Sequence, residues 1–114
     1  MRENIWREIP PMREPRNGAS CLHVRSAKAI FVFGGNNYSS GILDSIERFD
    51  LEINKWSYIR TRLPYPVQDF ALTLLSPEAS EIDFRRLILG GKSIGEDTMS
   101  KPLILDLSIE LKDQ

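Results

Sequence analysis

The sequence predicts an all-β protein built from four-stranded antiparallel sheets. Three observations carry this. First, Ile30-Phe31-Val32-Phe33 is an unbroken apolar run that ends on Gly34-Gly35. That is the composition of a buried strand, stopped by residues that adopt backbone angles a Cβ resists. Second, Trp-x-x-Ile occurs at Trp6 and again 50 positions later at Trp56, and a second doublet, Gly90-Gly91, follows the first by 56 positions. A longer polar loop over 76–86, against a short counterpart over 25–28, absorbs the difference. Third, no stretch shows the 3.6-residue periodicity of an amphipathic helix.

The elements follow in order. Residues 6–9 read as a single strand, and the proline-bearing 10–18 as a loop, because proline cannot donate to a ladder. Strands are predicted over 19–24, 29–33, 44–49 and 55–59, which make one complete sheet. Residues 36–41 form a polar loop, and 50–54 a short turn that returns the chain antiparallel. After a second proline-bearing loop over 61–66, strands are predicted over 68–75, 87–89 and 102–107, with Leu105-Asp106 aligned on Phe49-Asp50. Lys112 falls where a tryptophan would be expected, so this second unit lacks a clear fourth strand. Residues 108–114 read as a frayed strand or a short helical end. The predicted units are 1–11, the last strand of an incomplete sheet; 12–60, a complete sheet; and 61–114, a degenerate one.

The apolar strand running into Gly34-Gly35, the aromatic Phe49 just before Asp50, and Trp56 seven positions after it resemble a kelch repeat. Phe49 stands where that pattern usually has tyrosine. The resemblance implies that each repeat is one four-stranded blade of a β-propeller, here about two blades and incomplete. It assigns Trp6, Gly34, Gly35, Phe49, Trp56, Gly90 and Gly91 to the structural motif, with the large rings packing between blades. Closed propellers use about 4–8 blades. The chain is therefore expected to be a piece of a larger propeller or to assemble as a homo-oligomer, three two-bladed copies making six.

Composition narrows the functional classes. With 114 residues there is room for one small domain, and 41% hydrophobic residues suffice for a core. Fifteen Lys plus Arg balance sixteen Asp plus Glu without a basic stripe, so no nucleic-acid partner is expected. No apolar run approaches the roughly 18 residues of a membrane span. Charge interrupts the N-terminus, so no secretory leader is expected, and the lone Cys21 permits no internal disulfide. Both fit a cytoplasmic setting.

The constellations that suggest chemistry are thin. Gly90-Gly91-Lys92-Ser93 resembles the tail of a phosphate loop, but Arg86 stands where that loop needs glycine and no helix follows, so a turn is expected. His23 and Cys21 share a strand face, but no further soft ligand completes a metal set. They are read as a packed histidine and a small apolar residue. Asp44, Glu47, Glu96 and Asp97 are read as solvated charges. Asn37-Tyr38-Ser39 fits a glycosylation sequon, and without a leader no glycan is expected. No cofactor or metal is expected.

Strand alternation brings the loop before the first strand and the loop after the second to one end of a blade. The candidate partner-binding residues there are Arg13, Arg16, Asn17, Asn36, Asn37, Tyr38 and Ser39, with Tyr65 and Lys92 at the corresponding places of the second unit. Arginine and tyrosine are enriched at binding hot spots. Similarity to peptide-binding kelch propellers, which use this face, implies a non-catalytic module for a protein or peptide partner. The family's known roles include actin-associated scaffolds and ubiquitin-ligase substrate receptors. Two alternatives stand beside it: a scaffold piece of a kelch-containing enzyme, such as a copper oxidase or sugar-modifying protein, and a truncated product without independent function.

Overall fold

Strands form where the apolar runs lie. The computed structural model describes residues 4–74, 86–93 and 103–106, with side chains over 4–72. Its first sheet orders β1 (Ser20–Val24), β2 (Ala29–Phe33), β5 (Ile46–Asp50) and β6 (Lys55–Tyr58) as β1-β2-β5-β6, every pair antiparallel. Between β2 and β5 the expected polar loop instead pairs with itself, as β3 (Asn36–Asn37) against β4 (Gly41–Ile42). A second sheet has the order β7 (Val67–Leu74), β8 (Arg86–Ser93), β9 (Leu103–Asp106). The described residues contain no α-helix, only one 3-10 turn at Arg25–Ala27. The loop expected over 76–86, except Arg86, the pair Glu96 and Asp97, and the end over 108–114 lie outside the described residues.

Side-chain chemistry closes the tight turns. Asp50 Oδ1 accepts the Glu52 N–H at 2.9 Å, and Asn54 takes the left-handed conformation at φ 57°, which returns the chain to β6. The Glu52 N–H, with that of Ile53 and the Arg48 guanidinium, holds the Asp50 carboxyl below its ordinary 3.8 despite some desolvation.

Two glycine doublets behave differently. β2 stops at Phe33, just before Gly34, as expected. β8 instead runs through Gly90 and Gly91 to Ser93, so the predicted turn there is a strand and Lys92 is a strand residue opposite Gln68. The cause is the partner. β7 starts early enough to pair Val67 with Ser93, whereas β1 begins at Ser20 opposite Phe33. A bulge between Gln68 and Ala71 interrupts β7. Counted from the doublets, Arg86 corresponds to Ile30, and it faces Asp106 where Ile30 faces Phe49. The register thus puts Asp106, rather than Leu105, at the place of Phe49.

No strand forms over 4–16. The strand expected at 6–9 is absent because an extended segment becomes a strand only by pairing, and it pairs with no described strand. Trp6 is fully exposed, so it does not pack between blades.

The two faces of the first sheet have different surroundings. Val24, Ala29, Phe31, Phe33 and Ile46 point toward the second sheet, forming one core with Ile59, Leu63 and Val67, against which Phe70 and Leu72 pack. Burying each large apolar side chain contributes about 1.5–3 kcal/mol. The other face carries Cys21, His23, Ile30, Val32, Glu47, Phe49, Trp56 and Tyr58, by alternation and register. Phe49 and Trp56, directly opposite, touch with ring centroids 4.9 Å apart. Cys21 and His23 are exposed rather than packed, because nothing among the described residues covers that end of the face.

Candidate functional site

The loop before β1 and the loop after β2 meet at one end of the first sheet, and a buried ion pair locks them together. Glu47, on β5, is fully buried. Its carboxylate accepts the Arg13 N–H at 2.8 Å, the Glu14 N–H at 3.1 Å and Arg16 Nε at 3.1 Å, with Arg16 Nη2 at 3.0 Å. The Arg16 side chain is equally buried. Its Nη1 donates to the carbonyls of Gly34 at 2.9 Å and Ser45 at 3.0 Å, and Nη2 donates to Ser45 Oγ at 2.8 Å. Each charge is thus hydrogen-bonded as well as paired, the condition for keeping a charge out of water. Glu47 is therefore not a solvated charge, and Arg16 is an internal tie rather than a partner-binding side chain.

Several other expected contact residues also face inward. Asn37 is buried: its Nδ2 donates to Pro15 O at 3.0 Å, while its Oδ1 accepts the Ser40 N–H at 2.7 Å and closes the β3–β4 turn. That nitrogen, the sequon's acceptor atom, is occupied. Asn17 and Asn36 exchange both backbone bonds at 2.8 Å, and Asn36 Nδ2 also donates to Gln68 Oε1. Tyr65 packs against the core. The structure leaves Arg13, Asn17, Tyr38 and Ser39 exposed, Tyr38 completely so.

The glycine doublet is the joint between these loops and the second sheet. Gly34 and Gly35 have φ of 64° and 94°. A Cβ on Gly34 would lie 2.6 Å from Val67 O, and one on Gly35 would lie 2.9 Å from Asn17 O. The Gly35 N–H donates to Val67 O at 2.9 Å, and the Asp69 N–H to Gly18 O at 2.9 Å. Only glycine fits, because backbone approaches the doublet from both the preceding loop and the following sheet.

Above this base lies an open cleft of about 320 Å³, lined by Glu14, Ser40, Ile42, Asp44, Tyr58 and Arg62 among others. Tyr58 Oη donates to Glu14 Oε1 at 3.0 Å, Ser40 Oγ donates to Glu14 Oε2 at 3.1 Å, and the Arg13 guanidinium sits 5.5 Å from the Tyr58 ring centroid. Arg62 pairs with Asp44 across the wall. The cleft therefore offers charges of both signs, hydroxyls and apolar floor. Sequence reasoning missed Glu14, Glu47, Tyr58 and Arg62. Glu47 carried a signal: it shares a strand face with the aromatic Phe49, and a carboxylate covered beside an apolar ring requires a buried cation.

Glu14 and Tyr58 shift in opposite directions. Desolvation pushes the Glu14 carboxyl up, but the Tyr58 and Ser40 hydroxyls and the Arg16 charge outweigh it and hold it below its ordinary 4.5. Desolvation, then the bond to Glu14, pushes the Tyr58 phenol above its ordinary 10.0. The stabilisation from a depressed carboxyl is complete above 4.5 and disappears as pH falls through the lower folded value. The tyrosine's is complete below 10.0 and disappears as pH rises through the higher folded value. Tyr58→Phe is expected to raise the Glu14 pKa toward 4.5, read from its carboxyl carbon in an NMR pH titration. It should cost about 0.5–1 kcal/mol in urea melts, the low end for a hydrogen bond because the ring is 42% exposed. An unmoved Glu14 titration would contradict the bond.

Among the described residues, no three His, Cys, Asp or Glu side chains converge on a common point, and no helix is long and apolar enough to cross a membrane.

A four-stranded antiparallel sheet packed through one face against a second antiparallel sheet, described over three strands, is the arrangement of neighbouring blades in a β-propeller. Residues 15–62 match the Kelch motif, so this stretch is similar to a kelch repeat. Over 58 residues it is 45% identical to Kelch-like protein 23 of Homo sapiens, 45% to that of Pongo abelii and 43% to that of Mus musculus. Each match covers 50% of this chain and 10% of the relative, so the chain spans a small part of those proteins' length. Kelch repeats are generally protein-interaction modules.

Proposed function

We propose that the chain is a non-catalytic module that binds a protein or peptide at the loop end of its first blade. The supporting observation is the cleft itself: exposed Arg62 lines it, exposed Arg13 lies against the Tyr58 ring of its wall, and exposed Tyr38 stands on the β3–β4 turn at the same end of the sheet, where a buried ion pair holds the loop before β1. Loops fixed on a rigid base lose little entropy on binding, and Arg and Tyr are frequent anchors of such contacts. The exposed, unpaired Cys21 fits a reducing, cytoplasmic setting.

Quantitative affinity capture should compare wild type with two variants. One replaces Arg13, Tyr38 and Arg62 by Ala. The other replaces Lys28 and Glu52, an exposed pair at the opposite loops of the blade. Partners retained by wild type and the second variant but lost at least tenfold by the first are expected. Equal recovery by the loop variant would overturn the assignment of this end.

A further inference from the structure

We propose that Asn17-Gly18 is a self-modification site, where the folded chain converts its own asparagine to aspartyl and isoaspartyl forms and so unfastens the joint between its loops and its second sheet. The reaction needs only water. The Gly18 main-chain nitrogen attacks Cγ of Asn17. The bond from Cγ to Nδ2 breaks, ammonia leaves with the proton of the attacking nitrogen, and a succinimide ring closes. Water then opens the ring. Breaking the new bond between Cγ and nitrogen gives an aspartyl residue. Breaking the original peptide bond gives an isoaspartyl residue, whose main chain runs through Cγ. In both, one amide has become one carboxylate and the chain has gained a negative charge.

The structure singles out Asn17 from the five asparagines of the chain. It is exposed, and no backbone carbonyl among the described residues accepts the Gly18 N–H, so the attacking nitrogen is free of the ladder. Glycine also leaves that nitrogen uncrowded, having no Cβ. The position cannot take another residue. Gly18 has φ 68°, and a Cβ on it would lie 2.5 Å from Asp69 Oδ1. The other four asparagines are each obstructed. The Asn37 carboxamide is bonded at both ends, and Asn36 Nδ2 is held by Gln68. Asn4 and Asn54 are exposed, but Ile5 and Lys55 follow them, each with a Cβ beside the nitrogen that would attack.

The same geometry sets the consequence and the gate. Asn17 O accepts the Asn36 N–H at 2.8 Å, and Gly18 O accepts the Asp69 N–H at 2.9 Å. These bonds tie the loop before β1 to the loop after β2 and to β7. An isoaspartyl link inserts an extra main-chain carbon between the two acceptors. The joint has no slack to absorb it, since a Cβ on Gly35 would already lie 2.9 Å from Asn17 O. Bringing the Gly18 nitrogen to Cγ turns the peptide between the two residues and gives up the bond from Asn36. Local opening of that bridge therefore limits the rate.

Incubation of the full chain at neutral pH, followed by peptide mapping with mass spectrometry, tests this. Conversion is expected at Asn17 at least tenfold faster than at any other asparagine. Chain unfolded in urea should convert faster still, because the bridge is gone. Asn17→Gln should abolish the conversion with an unchanged far-ultraviolet spectrum, since only the backbone of Asn17 makes the bridge. In the isoaspartyl fraction, separated by its charge, the Asp69 amide should lose its protection from hydrogen exchange. A folded wild type that keeps its Asn17 amide while the unfolded chain converts, or that converts Asn4 or Asn54 first, overturns the proposal. An isoaspartyl fraction with the Asp69 amide still protected overturns the unfastening.

Discussion

Glu47→Gln is expected to destabilise the chain by about 3–5 kcal/mol in urea melts, although it changes little in shape. The substitution leaves Arg16, whose side chain is fully buried, without its counter-charge. Half of the new amide is also a donor, facing the Arg13 N–H, the Glu14 N–H and Arg16 Nε, which are all donors. Leaving buried charge uncompensated is the costly way to break such a pair, whereas removing both ends is less costly. Arg16→Met combined with Glu47→Leu should therefore recover part of the loss. Recovery stays partial because the Gly34 and Ser45 carbonyls lose their Arg16 donors and two backbone N–H groups lose their acceptor. A single-variant loss below about 1 kcal/mol would place the pair in the class of exposed ion pairs and contradict its burial.

Gly34→Ala is the second large effect, at about 2–4 kcal/mol, and Gly41→Ala is its control. Both glycines have positive φ, 64° and 77°, so each substitution carries the cost of a left-handed alanine, about 1–2 kcal/mol. They differ in surroundings. A Cβ on Gly34 would sit 2.6 Å from Val67 O and 3.0 Å from the Phe70 ring, whereas one on Gly41 meets nothing within 4 Å. The Val67 carbonyl cannot retreat without giving up its bond to the Gly35 N–H. The difference between the two variants isolates the contact between the doublet and the second sheet. Equal losses would show that the second sheet does not approach the first glycine.

What the sequence made legible were features set by local pattern. The Phe49 and Trp56 spacing across a short turn determines that the rings face each other, and an apolar run into paired glycines determines where β2 ends. What it hid depends on partners distant in the chain. Composition says that Arg16 lies in a loop but not that the loop folds back over β5, so its position was legible and its role inverted. Asn37 was read as a surface amide for the same reason, and its bond to Pro15 spans two loops. Lys92 was placed in a turn by analogy with the first doublet, but strand length follows the neighbour, and β7 reaches further than β1. The residues at 6–9 have strand chemistry without a strand, because pairing is not a local property.

The most direct test of the locked loop is amide hydrogen exchange at Arg13 and Glu14. Neither residue belongs to a strand, so no ladder protects them, and their N–H groups have the buried Glu47 carboxylate as acceptor. In wild type both amides should exchange far more slowly than in an unfolded chain, and in Glu47→Gln they should lose that protection while the amides of β2 keep theirs. Exchange of Arg13 and Glu14 at unfolded-chain rates in wild type, with β2 protected, would contradict the tie between loop and blade.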